Sequence, residues 1–279
     1  MKGPQPEPMS PTGPSPVANA VTVRPPGLVP RPGGPATAGL SVVPVCQPLA
    51  PPSMCPPGLE YLAIIDQLII SQQIQLVEVL TGFEQKNKYV IKNSMGQFVY
   101  FAGEETDFCT RIIFGGIRPF EIRIYDIRGA EVIRCFRPLR CDSCCFFCCL
   151  QEMEVQAPPG VPVGYIQQDW SVIFPMFTLM NARREPSLKI KGPFITSSCL
   201  GDVKFEVWTV DWRHKIGLLS KNWSGALREM FTSADNFSIS VPIDLDVRMK
   251  ATLIGCTLLI DFIFFEGSRS PDLPGNLFN

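Results

Sequence analysis

The stretch that decides the fold is residues 251–265, which reads ATLIGCTLLIDFIFF. It is apolar around the whole circumference of a helix, and Asp261 is its only charged side chain. Such a helix belongs either in a membrane or in a protein core. Its 15 residues span about 22 Å, against about 30 Å for the hydrocarbon of a bilayer, and a carboxylate at bilayer centre costs at least about 2.5–3.5 kcal/mol.

We therefore favour a core helix, predicted over 245–265, in which Asp261 requires a buried partner. The alternative is a membrane span with its N-terminal end held in the cytoplasm by Arg248 and Lys250, as in a single-pass type II protein. The residues that would form either the core or the span are Ala251, Leu253, Ile254, Leu258, Asp261 and Phe265.

Short segments that alternate apolar and polar residues precede this helix, and Gly/Pro turns separate them. They predict strands over 88–93, 97–102, 120–127, 131–137, 150–156, 163–168, 177–181, 187–191 and 203–210. A helical turn at 59–65, a strand ending near Leu80 and a helical stretch at 223–231 are also predicted. The series is typical of a sandwich or closed barrel, and a wide barrel can bury an apolar helix. The predicted fold class is mainly β, a closed barrel around the C-terminal helix.

The proline content defines the domain limits. Residues 1–58 hold 17 of the 28 prolines and four charged side chains. This composition predicts a disordered proline-rich tail, followed by a domain over 59–266 and a short tail over 267–279. PxxP spacings such as Pro8 to Pro11 suit SH3-domain partners, and a merely solvated tail is the alternative.

Composition also excludes several classes of function. The net charge of −1 argues against a generally basic nucleic-acid binder. His214 is the single histidine, which excludes most familiar metalloenzyme sites and Ser-His-Asp triads that do not use it. No uninterrupted apolar segment follows Lys2, so we expect no signal peptide and a cytoplasmic N-terminus.

Five cysteines cluster within nine residues: Cys141, Cys144, Cys145, Cys148 and Cys149. Two abutting CxxC units leave no chain to fold back around a zinc ion, so S-acylation at a membrane surface is favoured. Seven arginines and three acids between Arg111 and Arg140 give a net charge of +4, which would suit an anionic cytoplasmic leaflet. The remaining alternatives are a metal site and a set of small buried thiols.

Several long motifs resemble the phospholipid scramblase family. They are CPPGLEYL at 55–62, LVEVLTGFE at 76–84, RPLRC at 137–141, LQEMEVQAPPGVPVGY at 150–165, ADNF at 234–237 and DLDVRMKA with LIDFIFFE within 244–266. The resemblance implies a tubby-like fold, a barrel wrapped around its C-terminal helix. It also implies calcium-triggered movement of phospholipids between leaflets and palmitate on the cysteine cluster.

The family's calcium segment is altered in this chain. The matching positions are Ser233, Asp235, Phe237, Ile239, Val241 and Asp244, where Ser233 replaces the first acid of the family pattern and Ser238 its glycine. Three of the six could offer only main-chain carbonyls, so we expect weak Ca²⁺ binding. The alternation of residues 237–243 also predicts a half-buried strand, and both alternatives stay open.

Two functions are considered. The first, which the resemblance implies, is a calcium-responsive phospholipid scramblase at the cytoplasmic face of the plasma membrane that works without covalent chemistry, with a homo-oligomer as one way for a short helix to do so. The second is an acylated peripheral lipid-binding adaptor without transport activity. The stretch that matches the family's nuclear-import segment, residues 217–225, keeps only one of the two lysines, Lys221, so nuclear import is doubtful.

Overall fold

The computed structural model describes residues 55–72, 86–105, 118–140, 150–194, 202–222 and 236–265. In these ranges a 3-10 helix, Glu60–Ile64, leads into twelve strands and one α-helix, α1, Val247–Phe264. The strands are β1 Gln67–Gln72, β2 Lys86–Asn93, β3 Phe98–Glu105, β4 Phe120–Tyr125, β5 Glu131–Arg137, β6 Glu152–Gln156, β7 Pro162–Asp169, β8 Met176–Asn181, β9 Pro186–Lys191, β10 Val203–Thr209, β11 Lys215–Asn222 and β12 Asn236–Ser240.

The twelve strands form one closed antiparallel barrel. Each strand pairs with its neighbours in the chain, and β1 closes the barrel by pairing with β12, with Leu68 opposite Ile239. A closed barrel has no unpaired edge strand, so every strand satisfies its backbone hydrogen bonds on both sides.

The α-helix fills the barrel. Residues 249–261 are all buried, and the helix packs most closely on β6, β7 and β8. It starts where the Asp246 side chain accepts a hydrogen bond from the backbone N–H of Arg248, an N-cap that satisfies a free amide of the first turn. Gly164 of β7 permits this close approach, because a Cβ atom there would lie 2.2 Å from the Thr252 hydroxyl of the helix.

The predicted closed barrel around a hydrophobic C-terminal helix is therefore confirmed. The helix begins at Val247 rather than at residue 245, because the chain enters it through a turn that ends at the Asp246 cap. The nine predicted strands correspond to β2–β10, with ends that differ by at most three residues and with β5 matched at both ends.

Strand β11 was not predicted. Its pattern contains Lys221, which is fully buried although it is a lysine, and this inward-facing charge hides the apolar alternation of the strand. Residues 1–54 of the predicted tail lie outside the described residues. The same holds for three other predictions: the strand end near Leu80, the helical stretch at 223–231 and the segment after Phe265.

Candidate functional site

The barrel has two unlike ends. Successive strands run in opposite directions, so all connections after even-numbered strands lie at one end, which we call the turn end. The odd-numbered strands finish at the opposite end, the loop end, where α1 also finishes. Three of the turn-end connections contain a glycine with positive φ, namely Gly96 at 77°, Gly129 at 80° and Gly160 at 90°, as tight hairpin turns require.

A buried lysine fixes the helix at the turn end. The Lys250 Nζ donates hydrogen bonds of 2.8 Å to the carbonyl oxygens of Leu62, Ile65 and Ile243. These carbonyls belong to the chain that enters β1 and the turn that leaves β12. Burial lowers the pKa of the Lys250 ammonium. Lys250 thus ties the first turn of α1 to both flanking segments.

A buried carboxylate fixes the helix at the loop end. Asp261 accepts a hydrogen bond of 2.8 Å from the Tyr89 hydroxyl and lies 3.3 Å from the Lys221 Nζ. The lysine also sits 4.0 Å from the centroid of the Phe265 ring. Tyr89 and Lys221 are therefore the partners that the sequence required for Asp261 without naming them.

Two buried arginines meet the end of the helix nearby. The guanidinium carbons of Arg118 and Arg137 lie 4.7 and 4.8 Å from the centroid of the Phe262 ring. Arg118 forms an ion pair of 2.9 Å with Glu104, and Arg137 donates a hydrogen bond of 2.8 Å to Gln151. These cation–π and polar contacts join α1 to β3, β5 and the start of β6.

Five arginines of the predicted basic stretch, within residues 118–140, are buried or paired with carboxylates. Arg118 and Arg137 are buried, while Arg123, Arg134 and Arg140 form ion pairs with nearby carboxylates. Most of the positive charge of this stretch is therefore either buried or neutralised by neighbouring carboxylates.

The predicted calcium positions are spread along one strand. Phe237 and Ile239 lie in β12 with buried side chains, and Val241 follows it. β12 pairs with β1 on one side and with β11 on the other, so the strand that the alternation of residues 237–243 predicts is present at Asn236–Ser240. Asp244 is exposed at the turn end, whereas Ser233 and Asp235 lie outside the described residues.

The cysteine cluster lies outside the described residues, but both of its flanks are placed. Arg140 precedes it, and Leu150 follows it at the loop end. The backbone of Gln151 is joined to Gln168 of β7 by two hydrogen bonds, of 2.8 and 3.1 Å. The chain that carries the five thiols therefore returns to the barrel beside the end of β7.

A segment for which the sequence predicts no role follows β7. Residues 170–175, WSVIFP, connect β7 to β8 at the loop end and expose Trp170, Val172 and Ile173. The sequence alone could have identified this segment. Its apolar run lies between Asp169 and Pro175, and the alternating pattern of a strand does not continue through either residue.

The described residues hold no group of three or more His, Cys, Asp or Glu side chains placed to bind a metal ion. Among the helices in that part of the chain, none has the length and apolar character needed to cross a membrane. His214 is exposed in the turn between β10 and β11.

The sequence profile of the Scramblase family matches residues 45–267. Phospholipid scramblase 1 of Homo sapiens is 58% identical over 235 residues, which cover 84% of this chain and 73% of the human protein. Phospholipid scramblase 2 of Bos taurus is 58% identical over 219 residues, covering 78% of this chain and 75% of the relative. Phospholipid scramblase family member 5 of Homo sapiens is 50% identical over 226 residues, covering 81% and 83%.

The chain therefore belongs to the scramblase family. A solved structure of a protein from Arabidopsis thaliana aligns with a TM-score of 0.40 and 10% identity, covering 71% of this chain and 94% of that protein.

Proposed function

We propose that this chain is a phospholipid scramblase, which moves phospholipids between the two leaflets of a membrane without making or breaking covalent bonds. The observation that carries the proposal is its identity of 58% over most of its length to a protein named phospholipid scramblase 1. A scramblase lowers the barrier for a polar headgroup to cross hydrocarbon, so it needs contact with lipid rather than a catalytic pair of side chains.

The filled interior of the barrel suggests where the lipid moves. The buried side chains of α1 and of the inward-facing strand residues form one continuous core, and protein cores leave few voids larger than a water molecule. We therefore place the lipid path at the outer surface, with α1 retained inside the barrel. The protein would act by disturbing the bilayer that it contacts.

Reconstitution of the purified full chain tests the function. Vesicles with a fluorescent phospholipid in both leaflets lose about half of their signal to an external, impermeant reductant when no scrambling occurs. We expect the loss to approach completion with this protein and to stay at half in protein-free vesicles. Vesicles that bind the protein and still protect the inner-leaflet lipid would favour the acylated adaptor instead.

The cysteine cluster is proposed to anchor the protein to the cytoplasmic face of the plasma membrane through palmitate. One acyl chain gives marginal membrane binding, and two or more give stable anchoring. Replacing Cys141, Cys144, Cys145, Cys148 and Cys149 with serine should move the protein from the membrane to the cytosolic fraction. Cys55→Ser, outside the cluster, is the matched control. A membrane-bound fivefold variant, with no hydroxylamine-sensitive acylation in the wild type, would contradict this proposal.

We propose a calcium response in which Asp235, rather than Asp244, supplies the carboxylate. In the sequence Asp235 is next to Asn236, where β12 begins, whereas Asp244 is exposed four residues beyond Ser240, where β12 ends. Five residues of strand at about 3.3 Å each separate the two ends by roughly 16 Å, too far for one ion with ligand distances of about 2.3–2.6 Å. Asp235→Ala should abolish calcium-dependent scrambling, and Asp244→Ala should leave it unchanged. Equal effects of the two variants would contradict this assignment.

A further inference from the structure

The connection between β7 and β8 forms a fixed apolar projection at the loop end. In this connection Trp170 is 48% exposed, Val172 80% and Ile173 54%. Phe194, which follows β9, is 69% exposed. These four residues are called the apolar projection below. The ring of Phe194 lies 6.4 Å from that of Phe174, which joins the two parts of the projection.

The backbone beneath the projection is held in place. The Phe174 N–H donates to the Ser171 hydroxyl at 3.2 Å, and the Gly192 N–H donates to the Pro175 carbonyl at 2.8 Å. Gly192 is required there, because a Cβ atom would lie 2.5 Å from both Pro175 and Phe205. Large apolar side chains therefore stay in solvent on a supported loop.

The turn end presents its apolar residues differently. The exposed large apolar residues in the described part of that end are distributed over five different connections; they are Ile64, Met95, Val161, Val210, Trp212 and Ile243. Single exposed apolar residues are normal on any protein surface, whereas a group of adjacent large ones marks an interaction surface.

We infer that the apolar projection inserts into a phospholipid bilayer, an inference that rests on the proposed function. Trp170 precedes the aliphatic pair Val172 and Ile173 in the chain, and the Lys191 ammonium lies 4.5 Å from the centroid of the Phe174 ring. A tryptophan and a lysine beside aliphatic side chains suit the interface between headgroups and hydrocarbon.

The path of the chain favours lipid over other occupants. The nine residues 141–149 carry five cysteines and rejoin the barrel at Leu150. The backbone N–H of Gln168, two residues before Trp170, donates a hydrogen bond of 2.8 Å to the Gln151 carbonyl oxygen. Acyl chains on those cysteines would enter a membrane from the same end of the barrel as the apolar projection. The two attachments would then act on one bilayer at once.

Vesicle binding of the full chain, purified without acylation, tests the inference. Vesicles of phosphatidylcholine and phosphatidylserine at a 7:3 ratio serve as the probe. Val172→Asp should lower the partition coefficient by roughly tenfold, because it removes an aliphatic group that would enter the hydrocarbon and adds a charge. Val161→Asp, the same change at the turn end, should leave it within a factor of two. Both positions are exposed, so both variants should melt at the wild-type temperature.

A second measurement uses conservative variants. Brominated lipids quench the emission of a tryptophan that lies in the hydrocarbon. We expect quenching in the wild type, loss of most of it in Trp170→Phe, and its retention in Trp212→Phe. Equal vesicle binding of the two aspartate variants, or quenching that does not depend on Trp170, would overturn the inference.

The same variants separate lipid from a second copy of the chain. If Val172→Asp dissociates a dimer in solution and leaves vesicle binding unchanged, the apolar projection is a protein interface and the inference is wrong. Loss of vesicle insertion would be distinct from failure of the proposed function. A protein that inserts through Trp170 but does not scramble lipid would leave the inference standing and overturn the function.

Discussion

The two ends of the barrel hold α1 in the same way but differ in their connections and exposed residues. At each end a buried charged side chain ties α1 to the wall, Lys250 at the turn end and Asp261 at the loop end. The turn end closes with short glycine-containing turns, as at Gly96 and Gly129. The loop end carries the longer connections, the two buried arginines and the apolar projection. Stability is thus built into both ends, while features suited to lipid contact are concentrated at one.

The middle of the barrel links the two ends, and a charge placed there should have the largest effect. Leu258 is 1% exposed. The free-energy cost of burying an unpaired lysine in an apolar core exceeds the total stability of most domains, which is about 5–15 kcal/mol. Leu258→Lys should therefore abolish the cooperative thermal transition and the near-UV circular dichroism. Leu139→Lys, at an exposed leucine near the loop end, should keep both. A folded Leu258→Lys protein would show that α1 does not fill the barrel.

The loop end should show the next largest effect. Asp261→Ala would leave the Lys221 ammonium buried without its carboxylate, which costs about 3–5 kcal/mol in comparable sites. Chemical denaturation should report this loss of unfolding free energy. Adding Lys221→Met should recover much of it, because the buried ammonium that faced Asp261 is then removed. A double variant less stable than Asp261→Ala alone would contradict this description of the pair.

The turn end should respond more weakly to loss of its own charge. Lys250→Met leaves three carbonyls without their donor but no unpaired charge, so we expect a loss of about 2–3 kcal/mol. Denaturant titrations of this variant beside Asp261→Ala compare the two ends directly. A larger loss at Lys250 than at Asp261 would reverse the order proposed for the two ends.

The same lysine predicts a pH dependence at the turn end. Burial lowers the pKa of Lys250 below its ordinary value of 10.5. Between the lowered pKa and 10.5, the unfolded chain binds more protons than the folded protein does. Stability contributed by this group should therefore rise with pH across that alkaline window. Unfolding free energies of the wild type minus those of Lys250→Met should show this slope, and a falling difference would contradict it.

Thiol labelling probes the middle of the barrel without any substitution, so its expected effect on the unfolding free energy is the smallest. Burial raises the pKa of Cys135 to about 12 and also raises that of Cys256. Both thiols lie inside the barrel between its two ends, whereas Cys55 is half-buried. At pH 8 an alkylating reagent should modify Cys135 and Cys256 roughly a hundredfold more slowly than it modifies Cys55. Peptide mass spectrometry measures the rates, and equal rates would mean that the barrel opens readily.

Sequence patterns predicted the fold well because the main signals are local. The apolar circumference of residues 251–265 required burial, and the alternation in β2–β10 required a sheet. Strand β11 was not predicted because Lys221 occupies an inward position. A lysine is accommodated there because it pairs with Asp261, 40 residues away in the sequence.

The site was less predictable for the same reason. The separation of the two barrel ends depends on how the strands pair, and no single segment encodes it. The apolar run at residues 170–174 was visible in the sequence, but its exposure follows from its place after β7. The calcium positions matched the family pattern in spacing, yet Phe237 and Ile239 are core residues of β12.

A cross-link between α1 and the wall tests most directly whether the protein works with its helix inside the barrel. A Cβ atom at Gly255 would lie 3.2 Å from the Cys135 Sγ, close enough for Gly255→Cys to form a disulfide with Cys135 upon oxidation. Peptide mass spectrometry would verify the bond in reconstituted vesicles. We predict that the oxidised and reduced forms of this variant scramble phospholipid at the same rate. Scrambling that disappears upon oxidation and returns upon reduction would mean that the helix must leave the barrel to act.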